Sequence, residues 1–254
     1  MIGVGGGKFL AEVKVLDERS VENFYLIEGF PGIGLVANIA ADFLVEDLEM
    51  QIYAKIYSDS IPVGMTFDRK SYSLRPEICI YSSFEHELLV LKTDVPVSGS
   101  SHEFIEAVTD WIIDEELRPV HLLGFPARDF SEQVFGLSTG DAESVLDEAG
   151  IDKPPALGAV GGPSGALLEK ADRNNVDSVA LVVEADPYFP DPEASRILIE
   201  DGVSRVTGID FSAGKLSEAA EEIKNQQEEL AAILEKAVDE KTSGAYPEDM
   251  YGSG

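Results

Sequence analysis

The chain is short of positive charge, cysteine, histidine and tryptophan. Its 254 residues hold 19 Lys+Arg against 48 Asp+Glu, one cysteine, three histidines and one tryptophan, with a formal net charge of −29. Each shortage excludes something. The lone Cys79 can neither close an intramolecular disulfide nor anchor a Cys/His metal cluster. A surface so poor in cations repels phosphate backbones and anionic lipid, which argues against a nucleic-acid partner and against a membrane-surface role. No apolar run approaches the about 18–20 residues of a membrane span. The opening stretch MIGVGGGKFLAEVKVLDE has neither the basic start nor the long apolar core of a secretory signal. The expected location is therefore the cytoplasm. The acids alternate with apolar residues throughout, as on a solvated surface that stays soluble at high salt, and a salt-loving source is expected.

What is present is ordinary globular material, with 44% hydrophobic residues. Strands are expected at FLAEVKVL (9–16), FYLIEG (24–29), QIYAKIYS (51–58), IPVGMTF (61–67), EICIYSS (77–83), ELLVLKTDVPV (87–97), PVHLLGFP (119–126) and DSVALVVEAD (177–186). Helical spacing appears after GFPGIG, about 35–44, and after SGSSHEF, where Phe104, Ile105, Val108, Trp111 and Ile112 recur. DAESVLDEAG (141–150) reads as a short helix ending at Gly150, and DPEASRILIEDG (191–202) as one with Pro192 near its start. PALGAVGGPSGALLEKADRNNV (155–176) reads as a second strand, glycine turn and helix. Alternating strands and helices predict a three-layer α/β/α domain over residues 1–214, its sheet mostly parallel with antiparallel edge strands. Residues 215–241 predict a long amphipathic helix. Leu216, Ile223 and Leu230 are seven apart with Leu234 between repeats, so it can pack on its own domain or form an oligomer seam. Residues 242–254 show no periodicity and predict a flexible acidic tail.

Few motifs carry chemistry. The first turn spaces Gly29, Gly32 and Gly34 as G-x-x-G-x-G, which is not the dinucleotide fingerprint, and Pro31 removes a backbone donor. A tight strand-to-helix turn is the favoured reading. GVGGGKF (3–9) fails as a P-loop, because Phe9 stands where the hydroxyl residue belongs. GLSTG (136–140) matches G-x-S-x-G, but His86, His102 and His121 all precede Ser138, so a turn and cap is preferred to a nucleophile. No histidine pair has metal spacing. In VGGPSGALL (160–168), Gly161, Gly162 and Gly165 bring backbone amides to a helix start, a possible anion pocket together with Gly32 and Gly34. No lysine or arginine lies within either turn. Asp186, Asp191 and Glu193 can bind a cation, but a proline-shaped loop leading to a helix is preferred. No catalytic residue, metal or cofactor is assigned.

Four segments in order, EGFPGIGLVANIAADFLVEDL, RPEICIYSS, GGPSGALLEKA and EADPYFPDPEASRILIEDG, make the chain resemble the PAC2 family, the proteasome assembly chaperone 2-like proteins, over about residues 9–240. The type is haloarchaeal if the acidity is counted. The resemblance implies a fold like that of nucleoside phosphorylases, self-assembly into a homo-oligomer, and a non-enzymatic chaperone role with proteasome α subunits as partners. It also implies docking through a C-terminal triplet, matched here by Met250, Tyr251 and Gly252, although Ser253 and Gly254 follow it. The rival implications are an ATP-dependent carboligase-like or nucleoside phosphorylase-like enzyme, or a ligand-binding scaffold with no proteasome link.

Overall fold

A computed structural model describes residues 11–59, 65–67, 74–76, 78–93, 97, 101–126, 132–155, 158–211, 214 and 216–218. The strands are β1 (Ala11–Val15), β2 (Tyr25–Gly29), β3 (Gln51–Ser58), β4 (Met65–Phe67), β5 (Leu74–Pro76), β6 (Ile78–Ser83), β7 (Leu88–Thr93), β8 (Arg118–Pro126), β9 (Val134–Thr139) and β10 (Ser178–Ala185). The helices are α1 (Val36–Asp47), α2 (His102–Asp114), α3 (Glu143–Ala149), α4 (Gly162–Arg173), α5 (Pro192–Ile197) and α6 (Ser204–Thr207). A π-helical stretch, Leu198–Val203, runs between the last two.

Eight strands form one mixed sheet in the order β1-β3-β6-β7-β2-β8-β10-β9, and β4 pairs with β5 as a separate hairpin. The pairs β7–β2, β2–β8 and β8–β10 are parallel; the contacts of β1, β3, β6 and β9 are antiparallel. The sheet is thus mixed rather than mostly parallel, with antiparallel strands at both edges. The parallel centre follows from composition. β7 (LLVLKT) and most of β10 (SVALVVEA) are buried, as strands covered on both faces must be. One core joins Ile27, Val120, Leu122 and Leu181 to α1, α3 and α5; the other joins Leu26, Leu89 and Leu91 to Phe104, Val108 and Trp111 of α2 and Leu167 of α4.

Local signals explain most boundaries. Gly150, at φ 65°, ends α3 in the left-handed conformation that favours glycine. Asp191 caps α5, its Oδ1 accepting from Ala194 N–H at 2.9 Å. Two expectations need correction. GLSTG is not a turn and cap: Gly136–Thr139 lie in β9, paired antiparallel with β10, and the chain turns only at Gly140. Glycine suits that strand, because a Cβ at Gly136 would lie 2.8 Å from Leu146 Cδ1 of α3. No strand precedes the second glycine turn either: residues 158–160 are irregular and exposed.

Candidate functional site

β2 delivers the first glycine turn to the carboxyl end of the parallel strands, and the start of α4 brings the second to the same edge, where Ser164 meets Glu28. At the first, β2 stops at Gly29, where a Cβ would strike Ala41 Cβ and lie 2.8 Å from the Ala37 carbonyl oxygen of α1. Gly34 takes φ +61°, and its carbonyl accepts Asp191 N–H at 2.8 Å. These glycines let α1 and the Asp191 loop sit against the sheet. Gly32 is looser, its nearest neighbour 4.0 Å away. At the second turn, Gly165 packs on the Val160 carbonyl, whereas Gly161 and Gly162 face open space at the start of α4.

The two turns are tied together by a buried polar cluster. Glu28 on β2 and His121 on β8 face each other in parallel register, and each is 1% exposed. Glu28 Oε2 lies 3.0 Å from His121 Nδ1. Glu28 Oε1 accepts from Phe30 N–H at 2.9 Å and from Ser164 Oγ, in the first turn of α4, at 3.2 Å. Three donors on one carboxylate offset much of the cost of burying it. His121 Nε2 has no partner among the described residues. Ser164 Oγ bonds the carboxylate and not the imidazole, so the trio lacks the direct serine–histidine hydrogen bond of a Ser–His pair. The sequence signal was a charged residue closing the apolar strand YLIEG and a histidine within PVHLLGFP; only register brings them together.

A cation does stand beside the first turn. Lys92 of β7 pairs with Gly29 in register, is 4% exposed, and binds Asp42 Oδ1 of α1 at 2.6 Å. The three carboxylates proposed for a cation are otherwise engaged. Asp186 Oδ1 accepts Tyr188 and Phe189 N–H, Asp191 accepts Ala194 and Asp186 N–H, and Glu193 pairs with Arg196. Glu193 and Glu200 together hold the Arg196 guanidinium well above its ordinary pKa. Around this edge the surface is apolar: Leu35, Phe125, Val160, Tyr188 and Phe189 are all exposed.

The PAC2 family profile matches residues 26–231, which takes in β2, both glycine turns and the Asp186–Asp191 loop. The chain belongs to the PAC2 family. It is 27% identical over 225 residues to the uncharacterized protein MJ0106 of Methanocaldococcus jannaschii, covering 88% of this chain and 90% of that one. Among solved structures it is similar to Pyrococcus furiosus PbaA, described as an archaeal homolog of proteasome-assembly chaperone. The TM-score is 0.78 at 24% identity, over 92% of this chain and 96% of that one. It is also similar to P. furiosus PbaB, described as an archaeal proteasome activator, with a TM-score of 0.72 at 20% identity over 87% and 99% of the two chains.

In this PAC2 chain the remaining candidate residues divide in two. Leu216 is described; it is 6% exposed and packs in the same core as Val206 and Phe211. Ile223, Leu230, Leu234, Met250, Tyr251 and Gly252, for which the sequence predicts a long helix and a tail, lie outside the described residues. Among the described residues no helix is long and apolar enough to cross a membrane.

Proposed function

We propose that this PAC2 protein is non-catalytic and associates with the proteasome, as an assembly chaperone or a docking partner of α subunits, working as a homo-oligomer in the cytoplasm. One observation carries the reading: the polar groups at the carboxyl edge are engaged with one another while the surface above them is apolar and aromatic. Lys92 is held by Asp42 and Glu28 by three donors, which leaves little for phosphate chemistry. Family membership and the likeness to PbaA and PbaB support it. Met250, Tyr251 and Gly252 serve as an aromatic anchor on a tether, with several tails per oligomer giving avidity. Pull-down with a proteasome α subunit, using the intact chain and one truncated after Lys241, tests this. Binding by the intact chain alone is expected; binding by neither removes the reading.

Two finer parts have their own tests. Substituting Leu230 and Leu234 by Asp breaks the oligomer if residues 215–241 form its seam, and an unchanged sedimentation profile assigns them to the monomer. The charge of −29 makes stability climb steeply from low to molar KCl as self-repulsion is screened, and a flat salt response refutes a halophilic protein. A second reading, a phosphorylase-like or ligand-binding fold, has one observation in its favour, the buried His121 Nε2, which has no partner among the described residues. A thermal-shift screen with ATP, nucleosides and phosphate at fixed molar KCl decides it, since a bound ligand then raises the melting temperature with its concentration beyond an equal addition of KCl.

A further inference from the structure

Five of the ten large apolar side chains exposed among the described residues crowd one edge: Leu35, Phe125, Val160, Tyr188 and Phe189. They come from four neighbouring segments: the turn before α1, the end of β8, the residues before α4 and the loop after β10. Gly34, next to Leu35, packs against Ala185, Asp186 and Asp191 of the Tyr188 loop. Gly124, next to Phe125, packs against the Ile33 carbonyl, and Gly158, two residues before Val160, would carry a Cβ 3.2 Å from the Phe125 ring. The glycines thus bring these side chains to one end of the sheet, Phe125 and Val160 on its α4 side and Leu35 and the Tyr188 loop on its α1 side, and exposed apolar groups gathered in this way mark an interaction site.

The aromatic tip is held rather than loose. Tyr188 is 87% exposed, yet its N–H donates to Asp186 Oδ1 at 2.7 Å and that of Phe189 at 3.1 Å. Asp186 N–H in turn donates to Asp191 Oδ2, Asp191 N–H donates to the Gly34 carbonyl, and prolines 187 and 190 flank the pair. A backbone fixed in advance leaves only the side-chain rotors to be ordered on binding.

Charge selects the occupant. Glu184 stands beside Phe125 in register, and Asp186, Asp191 and Glu193 line the aromatic loop. The starts of α1 and α4 lie at the same edge but contribute only about half a positive charge each. Arg196 offsets Glu193, but Glu184, Asp186 and Asp191 leave the rim anionic among the described residues, on a molecule of net charge −29, which disfavours a second copy and favours cations. We propose that this patch docks an apolar segment flanked by lysine or arginine on a partner protein. Only the partner's identity, a proteasome α subunit, rests on the function proposed above.

The test uses the full-length protein and two labelled peptides, Leu-Phe-Leu flanked on both sides by two lysines or by two glutamates, read by fluorescence anisotropy. The lysine-flanked peptide is expected to bind at least about tenfold more tightly, and the Tyr188→Ser/Phe189→Ser variant, which keeps every charge, to lose that binding at least about tenfold. Equal binding of the two peptides, no binding, or a variant that binds like wild type overturns the proposal. Both positions are exposed, so circular dichroism is expected to show an unchanged fold. The same variant is then measured against the α subunit. Weakened binding supports the patch as the contact. Unchanged binding with lost self-association in sedimentation gives the patch to a second copy and sinks the proposal, leaving the proteasome reading standing.

Discussion

Replacing His121 and Glu28 singly and together puts the buried cluster to a quantitative test. His121→Leu leaves the Glu28 carboxylate, 1% exposed, with two donors in place of three. Removing one partner of a buried charged pair costs about 3–5 kcal/mol, and the two remaining donors put this case near the lower end, ~3 kcal/mol. Glu28→Leu strands the Phe30 N–H, the Ser164 hydroxyl and the imidazole N–H at once, each worth about 1–3 kcal/mol when buried and unpaired, though the hydroxyl can turn to a carbonyl in its own helix. That sums to roughly 3–5 kcal/mol. In the double variant the bare carboxylate and the imidazole are both gone, and chiefly the Phe30 N–H is left, at about 2 kcal/mol. The two substitutions together should therefore cost less than their sum by roughly 4–6 kcal/mol, a coupling far above the ~0.5 kcal/mol scatter of independent sites. Urea unfolding of the four proteins at one fixed KCl concentration and neutral pH gives the cycle, and Ser164→Ala supplies a milder single at about 1.5–3 kcal/mol. Additive losses would mean that the carboxylate and imidazole do not depend on each other, and the account of the cluster fails.

Three further outcomes are expected. Gly29→Ala should destabilise by about 1–3 kcal/mol, because the added methyl meets α1 backbone, whereas Gly32→Ala, with 4.0 Å of clearance, should be neutral or slightly stabilising in thermal melts; equal effects would remove the packing argument. Asp191→Ala should cost about 1–2 kcal/mol through loss of the α5 cap and of the Asp186 N–H bond, with Asp191→Asn costing less, and a wild-type melting temperature would refute it. Tyr53, 2% exposed, has its phenol pushed above the ordinary tyrosine pKa chiefly by burial, helped by Glu115 and Asp17. Its neutral form is favoured by folding, so this stabilisation is present below about pH 10 and lost as pH rises through the shifted value; alkaline titration of phenolate absorbance should lose a late-ionising group in Tyr53→Phe.

Much of this architecture was legible in the chain because its signals are local. The run FYLIEGFPGIGLVANIA carries strand, turn and helix within one segment, and Gly150 and Pro192 mark a helix end and a helix start by their own backbone preferences. What escaped depends on partners far away in sequence. β9 looked like a turn because Gly136, Ser138 and Thr139 suit turns; β10, about 40 residues later, supplies the ladder that makes it a strand. Residues 158–160 looked like a strand from composition, yet no neighbouring strand offers them hydrogen bonds. Absence of lysine from the turns suggested a site without cations, but Lys92 arrives from β7 through its pairing with Gly29. Glu28 and His121 are 93 residues apart, and no spacing rule connects them.

That separation has a consequence for how the sheet is laid down. Apart from these two side chains, the neighbouring stretches of β2 and β8 offer mostly interchangeable hydrocarbon, so sliding one strand by two residues, about 6.6 Å, keeps each oily side chain on its proper face. Such a slide would set the carboxylate opposite Pro119 or Leu123 and strand the imidazole. The ionisable pair is a registration pin: it singles out one alignment among several that oil alone would accept nearly equally well.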